Sequence, residues 1–172
     1  MLSKAVYHEN ASGGSHVHTG EEAVKEMTAG ERRKMFGLIA DSIKAESEDR
    51  ILNIGCGCGG LANELRERGY DVTMVTKGWQ KSFMAYDVIV ATHLHSFSDI
   101  KHMCRLAKKR VYIASSADFG VRIFEDHHGD KQDIFDNLSQ VFNMLYTYGI
   151  NPNVKIIEPE GCEAVSLIYW DV

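Results

Sequence analysis

The residues with the most chemical content lie in one run, Gly55-Cys56-Gly57-Cys58-Gly59-Gly60, set between an apolar stretch and an amphipathic one. Glycine takes positive φ at no steric cost and lets the backbone come close to a bound molecule. A helix that opens behind such a turn offers unpaired N–H groups and the positive end of its dipole. The run therefore reads as a turn for a nucleotide-like cofactor, with a tight ligand-free turn as the plain alternative. Two spacings coexist in it. Gly55, Gly57 and Gly60 fit the dinucleotide fingerprint, and Gly55, Gly57 and Gly59 fit a second glycine pattern. Cys56 and Cys58 are separated by one residue, with Cys104 and Cys162 far along the chain, so no zinc-ligand spacing is present. All four cysteines are expected to be reduced, and Cys56 and Cys58 to be small turn and core residues.

His93 and His95 follow an apolar stretch that ends at Ala91. Open α/β sheets place ligands just past the C-terminal ends of their strands. In an extended chain the alternating spacing puts both imidazoles on one side. They read either as a catalytic base or substrate contact, or as ordinary loop histidines. His16 and His18 near His8, and His127 and His128 beside Asp126 and Asp130, form further clusters. No third ligand is fixed by spacing, so no metal is assigned and solvated loop residues are the default.

Elements are needed to hold these groups. Residues 51–54 form a short apolar run that fits a buried parallel strand. Leu61, Ala62 and Leu65 share a face of the helix behind the glycines, and Gly69 stops it as a C-terminal cap. Further strands are read at 71–76, 86–91, 111–114, 153–157 and 165–170. One helix between them carries Ile100, Met103, Cys104 and Ala107, and another carries Ile134, Leu138, Val141, Phe142 and Leu145. Upstream, Thr19 with Glu22 and Thr28 with Glu31 are capping boxes. Strand–helix alternation predicts a Rossmann-like three-layer α/β sandwich. Its mostly parallel sheet of about six strands is preceded by N-terminal helices and closed by a C-terminal antiparallel hairpin. Residues 1–50 read as a helical cap segment and 51–172 as the main domain, one structural domain overall.

The segment Ile51-Leu52-Asn53-Ile54-Gly55-Cys56-Gly57-Cys58-Gly59 resembles the first motif of the class I S-adenosylmethionine-dependent methyltransferases. The helix up to Gly69 and the strand Tyr70-Asp71-Val72-Thr73 are similar to the elements that follow that motif. Tyr86-Asp87-Val88-Ile89-Val90-Ala91-Thr92 resembles the family's fourth strand, with its aromatic–Asp start. The resemblance spans roughly residues 51–172. It implies S-adenosylmethionine as cofactor, with Gly55, Cys56, Gly57 and Gly59 against its methionine and ribose part. Asn53 stands where an acidic residue is more usual, and Thr92 would border the sulfonium. His93 and His95 become the candidates for a base that assists methyl transfer, a step that otherwise needs alignment of nucleophile and methyl.

Two departures from the family pattern stand out. The residue expected to hold both ribose hydroxyls is acidic in the family; the matching position is Thr76, followed by Lys77. An ammonium accepts no hydrogen bond, and Lys77 with Lys81 suits a phosphate, which keeps an NADP-like ligand open. The second departure is a deletion. Only the nine residues 77–85 separate the second strand from the next, where the family places helix, strand and helix. Nine extended residues reach roughly 30 Å, so the connection closes without a full crossover and the sheet should lack its outermost strand. Trp79 and Phe83 then read either as an aromatic wall for adenine or as cover for the exposed sheet edge. The shortened flank is expected to be an interaction surface or a homodimer contact.

The 172 residues carry 19 basic and 24 acidic side chains, a net charge of −5, which argues against broad nucleic-acid binding. The basic group Lys101, Arg105, Lys108, Lys109 and Arg110 reads as a solvated helix face and its end. No apolar run is long enough to span a membrane and the start lacks a signal-peptide core, so a cytoplasmic protein is expected. The reading is a methyltransferase-like protein acting on a small molecule. A non-catalytic cofactor-binding or assembly module and an NADP-dependent oxidoreductase are the alternatives.

Overall fold

The computed structural model describes residues 28–55, 58–92, 97–116, 124–125, 131–132, 138–160 and 164–172. The capping box at 19–22 lies outside them. The second box is present: Glu31 N–H donates to Thr28 Oγ1 at 3.2 Å and Thr28 N–H donates to Glu31 Oε2 at 2.7 Å. It opens α1 (Ala29–Ser42), which buries Met35, Phe36, Ile39 and Ala40. β1 (Arg50–Ile54) is buried at every residue after the first, as a central parallel strand must be. α2 (Gly60–Glu67) ends at Gly69, whose φ of +90° closes the helix. Gly69 N–H bonds Arg66 O and Tyr70 N–H bonds Leu65 O, the paired bonds of a Schellman cap.

β2 (Asp71–Val75) leads through a 3-10 turn (Trp79–Lys81) to β3 (Tyr86–Ala91). There follow α3 (Phe97–Leu106), β4 (Ala107–Ser116), the two-residue strands β5 (Phe124–Glu125) and β6 (Lys131–Gln132), α4 (Leu138–Thr147), β7 (Asn153–Ile157) and β8 (Val165–Asp171). The main sheet has the order β2-β1-β3-β4-β8-β7. Its first four strands are parallel, and β8 runs antiparallel to both β4 and β7. One face packs under α1 and α2 through Ile51, Val88, Val90 and Leu167. The other packs under α3 and α4 through Leu52, Ile89, Ile113 and Ile168. The three-layer sandwich with its closing antiparallel pair is as expected from the sequence.

Among the described residues β2 is the sheet's edge, so the outermost strand is absent. The bare edge is blunted by a cation, since Arg66 Nη2 donates to the Val72 carbonyl at 2.9 Å. The two aromatics of the shortened connection part company. Trp79 is 5% exposed and belongs to the core beneath β1 and α3, so it forms no open wall for a ligand. Phe83 is 97% exposed and covers nothing.

The basic group also resolves differently from a helix face. α3 stops at Leu106, and Lys108, Lys109 and Arg110 lie on β4 at the base of the sheet. There they meet carboxylates from distant segments: Lys108 faces Asp87, Lys109 faces Asp49 and Glu46, and Arg110 faces Asp171. Asp49 is 4% exposed. Burial pushes its carboxyl up, but the Glu46 amide and the Lys109 ammonium outweigh this and hold it below its ordinary 3.8. A carboxyl depressed by folding stabilises the fold above its unfolded value and loses that stabilisation as pH falls through the folded one. Lys109→Met should therefore lower the melting temperature at neutral pH, with the gap to wild type closing below about pH 4. A gap that stays constant from neutral to acid pH would assign the effect of Lys109 to packing instead.

Candidate functional site

β1 and β3 lie side by side in parallel register, Ile54 opposite Ala91, with β2 on the far side of β1. The connection from β1 turns outward to β2 through α2, and that from β3 turns the other way to β4 through α3. The sheet's switch point therefore falls between Gly55 and Thr92, the first residues beyond the two strands. In open α/β sheets this crevice is where ligands bind. Thr92 N–H bonds Ile54 O at 2.8 Å and Gly55 N–H bonds Val75 O at 3.1 Å, so both chain ends are tied to the sheet as they leave it.

The recess over this junction is lined by Asn53, Gly55, Cys58, Gly59, Leu61, Met74 and Thr92, with Phe36 and Gly60 closing one side. A Cβ on Gly55 would stand 3.0 Å from Thr92 Oγ1 and 3.7 Å from Asn53 Oδ1. Gly59 sits at φ +69°, in the left-handed region, as the N-cap of α2. It offers no side-chain cap to the helix, whose first amides have no partner within the helix itself. Asn53 is 3% exposed and donates from Nδ2 to Val90 O at 3.1 Å across to β3. A carboxylate has no donor for that carbonyl, so this bond depends on the amide of Asn53.

Thr76 follows β2 directly and is exposed, as is Lys77. With Val75 opposite Ile54, Thr76 sits one step past the end of the ladder, level with the glycine turn. A hydroxyl and an ammonium thus stand where the resemblance leads one to expect an acid. Cys58 is exposed rather than in the core. Cys56, Gly57, His93 and His95 lie outside the described residues, as do His8, His16, His18, His127 and His128. Among the described residues no three His, Cys, Asp or Glu side chains gather as a metal site would need, and no helix is long and apolar enough to cross a membrane.

Phe36 and Met74 also line the recess, and no motif in the sequence marks either as a site residue. Phe36 reads from sequence only as one member of the apolar face of α1. Its ring reaches Gly60 because α1 lies along α2, bound to it by Arg33–Glu64 and Arg68–Asp41 pairs. Nothing local to Phe36 signals that contact.

No protein-family profile matches the chain, and no curated protein matches it in sequence. Solved structures do match it in fold. One is the Burkholderia thailandensis 1,6-didemethyltoxoflavin-N1-methyltransferase with bound 1,6-didemethyltoxoflavin and S-adenosylhomocysteine, at 13% identity and a TM-score of 0.57 over 81% of this chain and 77% of that one. A second is magnesium protoporphyrin IX methyltransferase from Synechocystis PCC 6803 with bound S-adenosylhomocysteine, at 11% identity and 0.54 over 93% and 90%. A third is the mitomycin 7-O-methyltransferase, at 11% identity and 0.56, of whose length this chain spans 57%. At these identities the likeness is one of fold, and the fold is that of the class I S-adenosylmethionine-dependent methyltransferases.

Proposed function

We propose that the chain binds S-adenosylmethionine at the glycine turn and is a methyltransferase acting on a small molecule. The observation that carries this reading is the bare turn at the β1/β3 switch point, with Gly59 left-handed and Gly55 against Thr92. The residues present fit the group on three counts. Gly55 and Gly59 leave backbone without side chain along the recess, the opening amides of α2 lack a side-chain cap, and Thr76 sets a hydroxyl, donor and acceptor both, level with the turn. Methyltransferase structures with S-adenosylhomocysteine bound share the fold.

The cofactor, when bound, supplies an electrophilic methyl on a sulfonium. The chain's own contribution is to hold the adenosyl and methionine parts, to keep Thr92 at the edge of the recess and to position an acceptor. His93 and His95, which follow Thr92, are the groups proposed to take a proton from that acceptor. If either does so, its replacement by Gln abolishes turnover and leaves S-adenosylhomocysteine binding intact. A second reading, a binding module without transfer, draws on the lack of a carboxylate at Thr76 and Lys77. NADP-type binding draws on the same two residues.

Calorimetry with S-adenosylhomocysteine, S-adenosylmethionine and NADPH separates the three. Binding of the first two is expected, and their failure to bind sinks the proposal. Binding without turnover on any nucleophile supports the module, and selective NADPH binding supports the oxidoreductase. Gly55→Val should weaken S-adenosylhomocysteine at least tenfold, about 1.4 kcal/mol, because its Cβ is already tight against Thr92 Oγ1. Unchanged affinity in that variant would place the ligand elsewhere.

A further inference from the structure

Asp99 is a carboxyl group buried to 3% exposure in the first turn of α3, and nothing in the proposed transfer uses it. A buried polar group is costly without partners, and one of its partners lies on the shortened connection. Gln80 Nε2 donates to Asp99 Oδ1 at 3.1 Å. Next to Gln80, the Trp79 ring meets His102 edge-on at 6.3 Å between centroids, three residues along α3 from Asp99. One polar and one aromatic contact thus clamp the 3-10 turn onto α3. The turn is tightened from within by Lys81 N–H to Gly78 O at 3.1 Å and Ser82 N–H to Trp79 O at 2.9 Å, behind a left-handed Gly78 at φ +74°.

Residues 76–78 span the short distance between this clamp and the end of β2, beside the glycine turn, where Gly55 N–H bonds Val75 O. Their placement is therefore fixed at both ends, by the sheet and by the clamp. We propose that Gln80 and Asp99 are a positioning pair: they hold the connection so that Thr76 and Lys77 form the adenosyl-side wall in place of the strand this sheet lacks. The inference rests on the S-adenosylmethionine reading and goes beyond it by naming what builds that wall.

The test uses Gln80→Ala, which removes the donor from a partly exposed residue, and Asp99→Asn, which keeps an acceptor oxygen for Gln80. Hydrogen exchange at the Lys81 and Ser82 amides should quicken about tenfold in Gln80→Ala. Its affinity for both S-adenosylhomocysteine and 5′-methylthioadenosine should fall by the same factor, about fivefold for one lost hydrogen bond. Asp99→Asn should stay near wild type in both measurements. Faster exchange with unchanged affinity would reduce the pair to a structural stitch and overturn the proposal. So would a loss for S-adenosylhomocysteine that spares methylthioadenosine, because the effect would then lie at the methionine end. Wild-type protein that binds neither ligand overturns the cofactor reading itself, and this inference with it.

Discussion

Trp79→Ala should destabilise the protein by about 3–5 kcal/mol, the usual cost of emptying a buried aromatic site. Measured by thermal unfolding, that is a drop on the order of 10 °C for a chain of this size. The loss is a large share of the roughly 5–15 kcal/mol that holds most domains folded. The reason for so large an effect is the missing strand and its helices. A full crossover would cover the β1 side of the sheet with a helix. Here ten residues, 76–85, make the connection, and Trp79 is the buried residue they contribute opposite Leu52, Ile54, Ile100 and Met103. Phe83→Ser, four residues on, should change stability by less than about 0.5 kcal/mol, because that ring is 97% exposed. Equal melting temperatures for wild type and Trp79→Ala would mean that the β1 face is closed by something other than this side chain.

The contrast between Trp79 and Phe83 shows where the sequence is legible. Strand and helix order follows from apolar runs and caps, because those signals are local: Thr28 with Glu31, Gly69 after α2 and the runs of β1 and β3 all sit where the patterns put them. The absent strand was legible as well, since a chain of nine or ten residues has no room for helix, strand and helix. The two aromatics were not separable, because each is an exposed-or-buried choice made by the other side of the fold. The same holds for Lys108, Lys109 and Arg110. Their pattern suits a helix end, and only carboxylates distant in sequence, Asp49, Asp87 and Asp171, make them the base of a strand. Asn53 was visible as a departure, while its bond to the Val90 carbonyl on β3 is a contact between strands. The turn itself could be read from residues; the wall around it, Phe36 from α1 and Gln80 held by Asp99, depends on packing.

Gly60→Ala should destabilise the protein although it removes a glycine from a helix. In an open helix the change is worth up to about 1 kcal/mol in favour of alanine. Here the new Cβ would stand 2.4 Å from two atoms of the Phe36 ring, far inside the roughly 3.5–4.0 Å of carbon contact. The ring is held on α1 among Met35, Ile39 and Leu61, so α1 has to move, at an overpacking cost of about 1–3 kcal/mol. Overpacking outweighs the gain in helix propensity, and the melting temperature falls. Adding Phe36→Ala makes the opposite prediction for the pair. Alone it opens a cavity, but combined with Gly60→Ala it should cost less than the sum of the two single changes by about 1–2 kcal/mol. Purely additive changes would show that Gly60 and Phe36 do not meet. The result also divides the labour within the glycine run. Gly55 keeps the recess clear of Thr92 and Gly59 makes the left-handed turn, whereas Gly60, the residue that completes the dinucleotide spacing, is required by the approach of α1 to α2. A packing role is also what the third glycine of a dinucleotide fingerprint has, so Gly60 does not separate the two cofactors, and Gly55 and Gly59 are the glycines that bear on the ligand.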